Sequence, residues 1–456
     1  MSDMIDEKNK TSNKPTLANK LALGAGFFSL FFLEKASESL ATPFYQMTLG
    51  VDPFLFSIAL TLPILFSAFL GPWVGQISDT FTSKYGRRRP FILISAWLSA
   101  LFFGIMWMVP EHWSTDSQLL YLFLTSLLFY TASIFYIVPL TSLSYEITHD
   151  VNDRIKVMEI NSYFIKLASL SSWWLFPLAT LSLFSSIFVG IKVVGWFIAI
   201  FVFGIIGTLP AVFVKEDAVE KKKTIANKFS LLENIKAIIN VPLMRLVFIL
   251  VFIQAGLAAY AAKMDYYVLV YYMFDGNISE GAVWKAVLSM GYAVIAAIYI
   301  PIVSWLSRTL GKLTALKYIF ALTAVGGIGK WFIYTPGVKW LLLLDPIFCS
   351  AIWTTMTIIL PAIVAEASDQ NKQNTEVCRA GGFAALHHWV FALSLMFALL
   401  VSGMSLNIMG FDANLGSSQP QNALISMKVI LSLGTIIPSI VAWFVLSRYQ
   451  KKYQLK

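Results

Sequence analysis

Charge is what this chain has least of. Asp, Glu, Lys and Arg make up 13% of its 456 residues, against about 25% in soluble domains. So little charge cannot clothe a soluble surface. The apolar residues are 57% of the chain, the mean hydropathy is +0.71, and no apolar block is left over to build a soluble catalytic domain. Cysteine is nearly missing too. Cys349 lies in an apolar block and Cys378 in a polar loop, which argues against a disulfide scaffold. Neither H-E-x-x-H nor G-x-S-x-G occurs. The run Gly326, Gly327, Ile328, Gly329, Lys330, Trp331 lacks the first glycine and the Ser/Thr of a phosphate-binding loop. No enzyme, no ATP hydrolysis, no metal and no organic cofactor is therefore expected. The net charge of +9 does not point to nucleic acid, because the basic residues sit in short segments between apolar blocks. No cleavable signal is expected either: the first block, about 21–47, is too long for one, and the segment before it mixes acids with lysines.

What is present is a dozen apolar blocks of the length, roughly 20 residues, that crosses a bilayer. They lie at about 21–47, 54–77, 90–109, 119–146, 160–187, 193–214, 242–274, 283–306, 314–334, 339–366, 380–410 and 422–447. The pattern predicts an all-α membrane protein of twelve transmembrane helices in two six-helix halves, 21–214 and 242–447. Tails at 1–20 and 448–456 flank them, and a Lys-rich linker, 215–241, joins them. Lys and Arg alternate. The even connections carry Lys84, Arg87, Arg88 and Arg89, then Arg154 and Lys156, the linker, Arg308 and Lys312, and Lys372 and Arg379. The odd ones carry little beyond Lys192, Lys285 and Lys339. The positive-inside rule then puts both termini in the cytoplasm. The expected location is the cell membrane, the inner one in a Gram-negative host.

An internal repeat is legible. After the second block, 72–81 reads P-x-V-x-x-I-S-x-T-F; after the eighth, 301–310 reads P-x-V-x-x-L-S-x-T-L. The same place in each half points to a parallel duplication. The second connection continues as Ser78, Asp79, Thr80, Phe81, Thr82, Ser83, Lys84, Tyr85, Gly86, Arg87, Arg88, Arg89, Pro90, Phe91, Ile92. Asp79 ends one helix and can pair with the arginines. Gly86 permits a tight turn, and Pro90 suits the first turn of the next helix. This reads as a latch between helices that holds one access state, rather than as a cargo site.

The run resembles the glycoside–pentoside–hexuronide:cation symporter family of the major facilitator superfamily, and most of all its sucrose/proton symporter branch. Thr42, Pro43, Phe44, Tyr45 and Gln46 resemble the same branch, as does, more loosely, the stretch from Pro139 to Glu146 with Arg154. The resemblance implies the major facilitator fold, with helices one, four, seven and ten lining the cavity. It is strong in the first fifth of the chain and an outline elsewhere. Where melibiose-type members have two sodium-binding aspartates, this chain has Ser67 and Gly71; the fourth-helix aspartate falls at Ile137, and the plant sucrose arginine at Thr141. The latch matches the family, but its cation and sugar residues do not.

Ionisable residues inside spans then become the candidates, because a charge at mid-bilayer costs about 2.5–3.5 kcal/mol on insertion scales. Glu34, Lys35 and Glu38 lie near the middle of the first span. Glu34 and Glu38 are four apart and share a face. Two acids and one ammonium leave one acid in excess, suited to take up and release a proton; the plainer reading is a neutral structural cluster. In the seventh span Lys263 and Asp265 do not face each other and need partners elsewhere, the first-span acids being the choice for Lys263. Asp345 precedes Pro346, which is expected to break the tenth helix. His387 and His388 occupy two faces of the eleventh, and His388 matches loosely a sugar-contacting position of the melibiose branch. Lys166 and Lys330 read as snorkelling or pairing residues. Glu146 and Glu366 recur at matching helix ends and read as gating pairs with Arg154 or Arg379. Trp353, Tyr266 and Tyr267 are candidates to stack on a sugar ring.

The expected function is a secondary active, proton-coupled symporter of a sugar or glycoside, a monomer in the bilayer with a carbohydrate as its partner and the proton as coupling ion. The alternatives are an exporter or uniporter of another small organic solute, or a sodium-coupled sugar symporter.

Overall fold

A computed structural model describes residues 16–81, 83–147, 151–214, 231–375 and 380–453. The long helices are α1 Leu17–Thr48, α2 Pro53–Thr80, α3 Arg89–Met106, α4 Thr115–Glu146, α5 Val151–Ser171 and α6 Ile187–Phe213. They continue as α7 Pro242–Met273, α8 Ile278–Leu310, α9 Lys312–Ile333, α10 Asp345–Thr375, α11 Ala380–Ile408 and α12 Gln421–Tyr453. Among the described residues eleven are long and apolar enough to cross a membrane. The exception is α5. Its sequence is rich in Asn, Lys and Ser, and it runs on through a short 3-10 turn, Ser172–Trp174, into Leu175–Ala179.

Helix starts follow local chemistry. Thr16, Ser114, Ser186 and Asn277 each place a side-chain oxygen on the backbone N–H three residues on, satisfying a donor the helix cannot. Pro53 and Pro242 open α2 and α7, and Pro90 is the second residue of α3, positions where a missing N–H costs nothing. Pro346 behaves likewise. The tenth helix is not broken there; it begins at Asp345, after a 3-10 segment, Lys339–Leu344. Asp345 is thus at a helix start rather than mid-span.

The chain forms two compact units: Met1–Val51 with Ile58–Lys223, and Asp52–Ser57 with Thr224–Lys456. In the first, α1 packs on α5 and α6, and α3 on α4 and α6. Lipid tails are as apolar as leucine, so close packing and interhelical hydrogen bonds, rather than expulsion of water, hold such helices together. Ser29 Oγ donates to the Val202 carbonyl at 2.6 Å, and Tyr136 Oη to that of Gly207 at 2.9 Å. In the second unit α9 packs on α10 and α12, α8 on α10, and α7 on α11 and α12. Leu250, Leu316, Phe320, Leu360 and Leu446 are wholly buried in its core. Ser432 Oγ reaches the Gly327 carbonyl at 2.7 Å, an approach that Gly327 allows because a Cβ there would stand 2.7 Å from Ile436. The first turn of α2 belongs to this unit; Asn407 Nδ2 donates to Asp52 Oδ2 at 2.6 Å.

Candidate functional site

The α1 charges lie on one side of the helix. Glu34 is exposed, Lys35 and Glu38 are half-buried, and Ala36, Ser37 and Leu40 on the other side are buried. The site in unit one is therefore a charged, accessible stripe. Small and apolar residues, not charges, fill the packed face of this helix.

In α7 Asp265 finds the partner elsewhere that its position demands. Asp265 is held by Lys285, whose Nζ donates to both carboxylate oxygens, at 2.7 and 2.6 Å. Both side chains are mostly buried. Lys285 is not in a connection; it is the eighth residue of α8, so the two helices of one hairpin satisfy each other. Lys263 is half-buried. Tyr266 and Tyr267 are core residues, and Trp353 packs against the core of the unit.

Asp345 is the most buried acid described. Lys330 Nζ donates to its Oδ2 at 2.7 Å, with side-chain exposures of 6% and 1%. Tyr292 Oη donates to the same oxygen at 2.9 Å and Tyr334 Oη at 3.2 Å. The cluster joins α8, α9 and the start of α10. One acid, one lysine and two tyrosines thus form a buried polar cluster within unit two. The sequence reads Lys330 as a snorkelling or pairing residue, and it pairs; Tyr292 and Tyr334 were missed. The available signal was a lysine one turn before the end of α9 and an acid opening α10, which a helical hairpin brings level.

Of the histidines, His388 is exposed and His387 half-buried. Lys428 of α12 was not singled out by sequence. It is 7% exposed, and its Nζ lies 3.3 Å from Tyr272 Oη, 4.7 Å above that ring and 5.0 Å above Trp331, a cation held by ring faces.

The α2–α3 turn is built as its residues suggest. Gly86 has φ +105°, a backbone that other residues rarely adopt. Ser83 Oγ donates to the Gly86 carbonyl at 2.6 Å and accepts from the Tyr85 N–H at 3.2 Å. Arg89 caps the end of α6: Nε donates to the Ala211 carbonyl at 2.6 Å and Nη2 to that of Val212 at 3.2 Å. A cation there also meets the negative end of the helix dipole. Arg88 is buried and Arg87 half-buried. The side chains of Asp79, Glu146 and Arg154, and all of Arg379, lie outside the described residues. In the second unit the corresponding turn has Gly311 at φ +83°. There Glu366 pairs with Lys312 at 2.9 Å, a partner the sequence reading did not name. Arg89→Ala should slow turnover several-fold and leave KM within about twofold, since these contacts join two helix ends; equal rates with a raised KM would refute a latch.

The profile of a family described as MFS/sugar transport protein matches residues 23–451. The chain is 22% identical over 446 residues to the uncharacterized symporter YnaJ of Bacillus subtilis (strain 168), covering 95% of this chain and 90% of that one. It is 22% identical over 295 residues to the isoprimeverose transporter of Lactiplantibacillus pentosus, covering 63% of this chain and 58% of that one. Among solved structures, a variant of the nucleoside transporter NupG matches with a TM-score of 0.65 over 94% of this chain and 99% of that chain, at 14% identity, a likeness of fold.

Proposed function

The chain belongs to the MFS/sugar transport protein family, and from that premise we propose that it is a proton-coupled symporter of a sugar or glycoside, working by alternating access. It is a multi-pass membrane transporter of a small molecule, of the sugar or solute symporter type, and not an enzyme. A relative named for isoprimeverose favours a sugar as cargo. The observation that carries proton coupling is the accessible stripe of Glu34, Lys35 and Glu38 on α1, in a chain that has Ser67 and Gly71 at the positions of the resembled family's sodium carboxylates. A carboxylate in this stripe can trade a proton as the site changes its exposure.

Purified protein in sodium-free proteoliposomes, screened against a panel of sugars, should accumulate at least one when a pH gradient is imposed. A response to sodium but not to pH would exclude proton coupling, and downhill flux that ignores both would favour a uniporter. The alternation of basic residues favours cytoplasmic termini. Single cysteines at Ser83 and Ser417, on a background free of other reactive thiols, should then label from opposite sides of the membrane; labelling of both from one side would sink this topology.

A further inference from the structure

Unit two has a cleft of about 280 Å³ at the end where α7 and α9 begin and α10 and α12 finish. Lys312, Glu366, Gln370, Tyr449 and Tyr453 line it, with Ile363 among its apolar lining. Lys312 and Glu366 face each other at 2.9 Å, and the two tyrosine rings lie 4.6 Å apart at 37°. None of these groups belongs to the α1 stripe or to the Asp345 cluster.

We propose that this cleft binds a small, neutral, polyhydroxylated ring, a pyranose, on the cytoplasmic side. Three observations select that chemistry. The charged pair is self-neutralising, so the cleft offers a hydroxyl one strong donor and one strong acceptor while drawing in no ion. The tyrosines offer ring faces for the C–H face of a sugar, and phenol groups at their edge. The volume lies just below the range of about 300–1,000 Å³ usual for drug-sized ligands, which suits one ring. Lys312 opens α9 directly after the Gly311 turn, and its Nζ also reaches the Ala362 carbonyl of α10 at 3.4 Å. A sugar bridging Lys312 and Glu366 would stiffen this α8–α9–α10 junction and slow turnover as cargo builds up inside. The proposal rests on the transport reading for its side of the membrane and for the sugar's relevance.

Amide hydrogen exchange of the full-length protein in detergent, with D-glucose or D-xylose, tests it. Exchange in peptides covering 363–370 and 449–453 should slow at least threefold. Mannitol, with hydroxyls but no ring, should leave it unchanged. Tyr449→Ala should remove the protection and Tyr449→Phe should keep it. Sugar loaded inside proteoliposomes should slow uptake in the wild type, and the same load should slow it less in Tyr449→Ala. No protection at these peptides overturns the site even if uptake of sugar is found. Protection without uptake of any sugar keeps the site and refutes the sugar-symport reading instead. Protection that persists in Tyr449→Ala overturns the tyrosine wall as the binding surface.

Discussion

Asp345→Ala is expected to destabilise the protein by about 3–5 kcal/mol, the cost of breaking a buried ion pair from one side. The alanine would leave Lys330, 6% exposed at its side chain, as a charge with no acid, and would strip Tyr292 and Tyr334 of their common acceptor. Tyr334 is wholly buried and has no solvent at hand to replace it. Lys330→Ala should do comparable damage, because the carboxylate would keep two neutral donors and lose the charged one. Removing both charges together is a different experiment. Asp345→Leu with Lys330→Met keeps volume and leaves no buried charge, a change that is often close to neutral. The thermal midpoint in detergent should therefore fall sharply in each single variant and recover most of the way in the double. A double variant as unstable as the sum of the singles would mean that the two residues do not act as a pair.

Glu38→Gln should abolish accumulation driven by a pH gradient. One pH unit is worth about 1.36 kcal/mol. A gradient of about two units could thus concentrate a neutral solute about 100-fold when one proton accompanies each molecule. Glutamine keeps the shape of the protonated acid and cannot release the proton, so the variant should equilibrate its cargo to a ratio near one while still exchanging labelled for unlabelled solute. Glu38 is chosen because Glu34 and Lys35 both lie within one turn of it on α1, and because it is half-buried where Glu34 is exposed. The ammonium can hold one carboxylate ionised while the other titrates, and the apparent constants belong to the group rather than to either acid. Normal accumulation in both Glu34→Gln and Glu38→Gln would reduce the stripe to a structural role.

The latch motif, the repeat and the helix count could all be read early, for one reason. Each depends on residues close together in sequence: a 20-residue hydropathy window, a turn glycine followed by basic residues, a proline at a helix start. Gly86 shows the gain, since it takes the positive-φ backbone that the tight turn after 72–81 requires. The fifth helix shows the limit. Residues 160–187 looked like one apolar span, yet the helix begins at Val151 and breaks into a 3-10 turn at Ser172–Trp174.

The sequence alone determined that this is a membrane protein of two similar helical halves, which family it resembles, and which intramembrane charges demand partners. Tertiary structure alone decided who those partners are. Asp265 found Lys285 across twenty residues, Asp345 found Lys330 across fifteen, and Glu366 found Lys312 across fifty-four. Arg89 reached past its own motif to carbonyls of α6. The physical reason is that a buried charge is neutralised by whichever helix lies beside it. Neighbourhood in a bundle follows packing and connection geometry, which leave no fixed spacing in the chain.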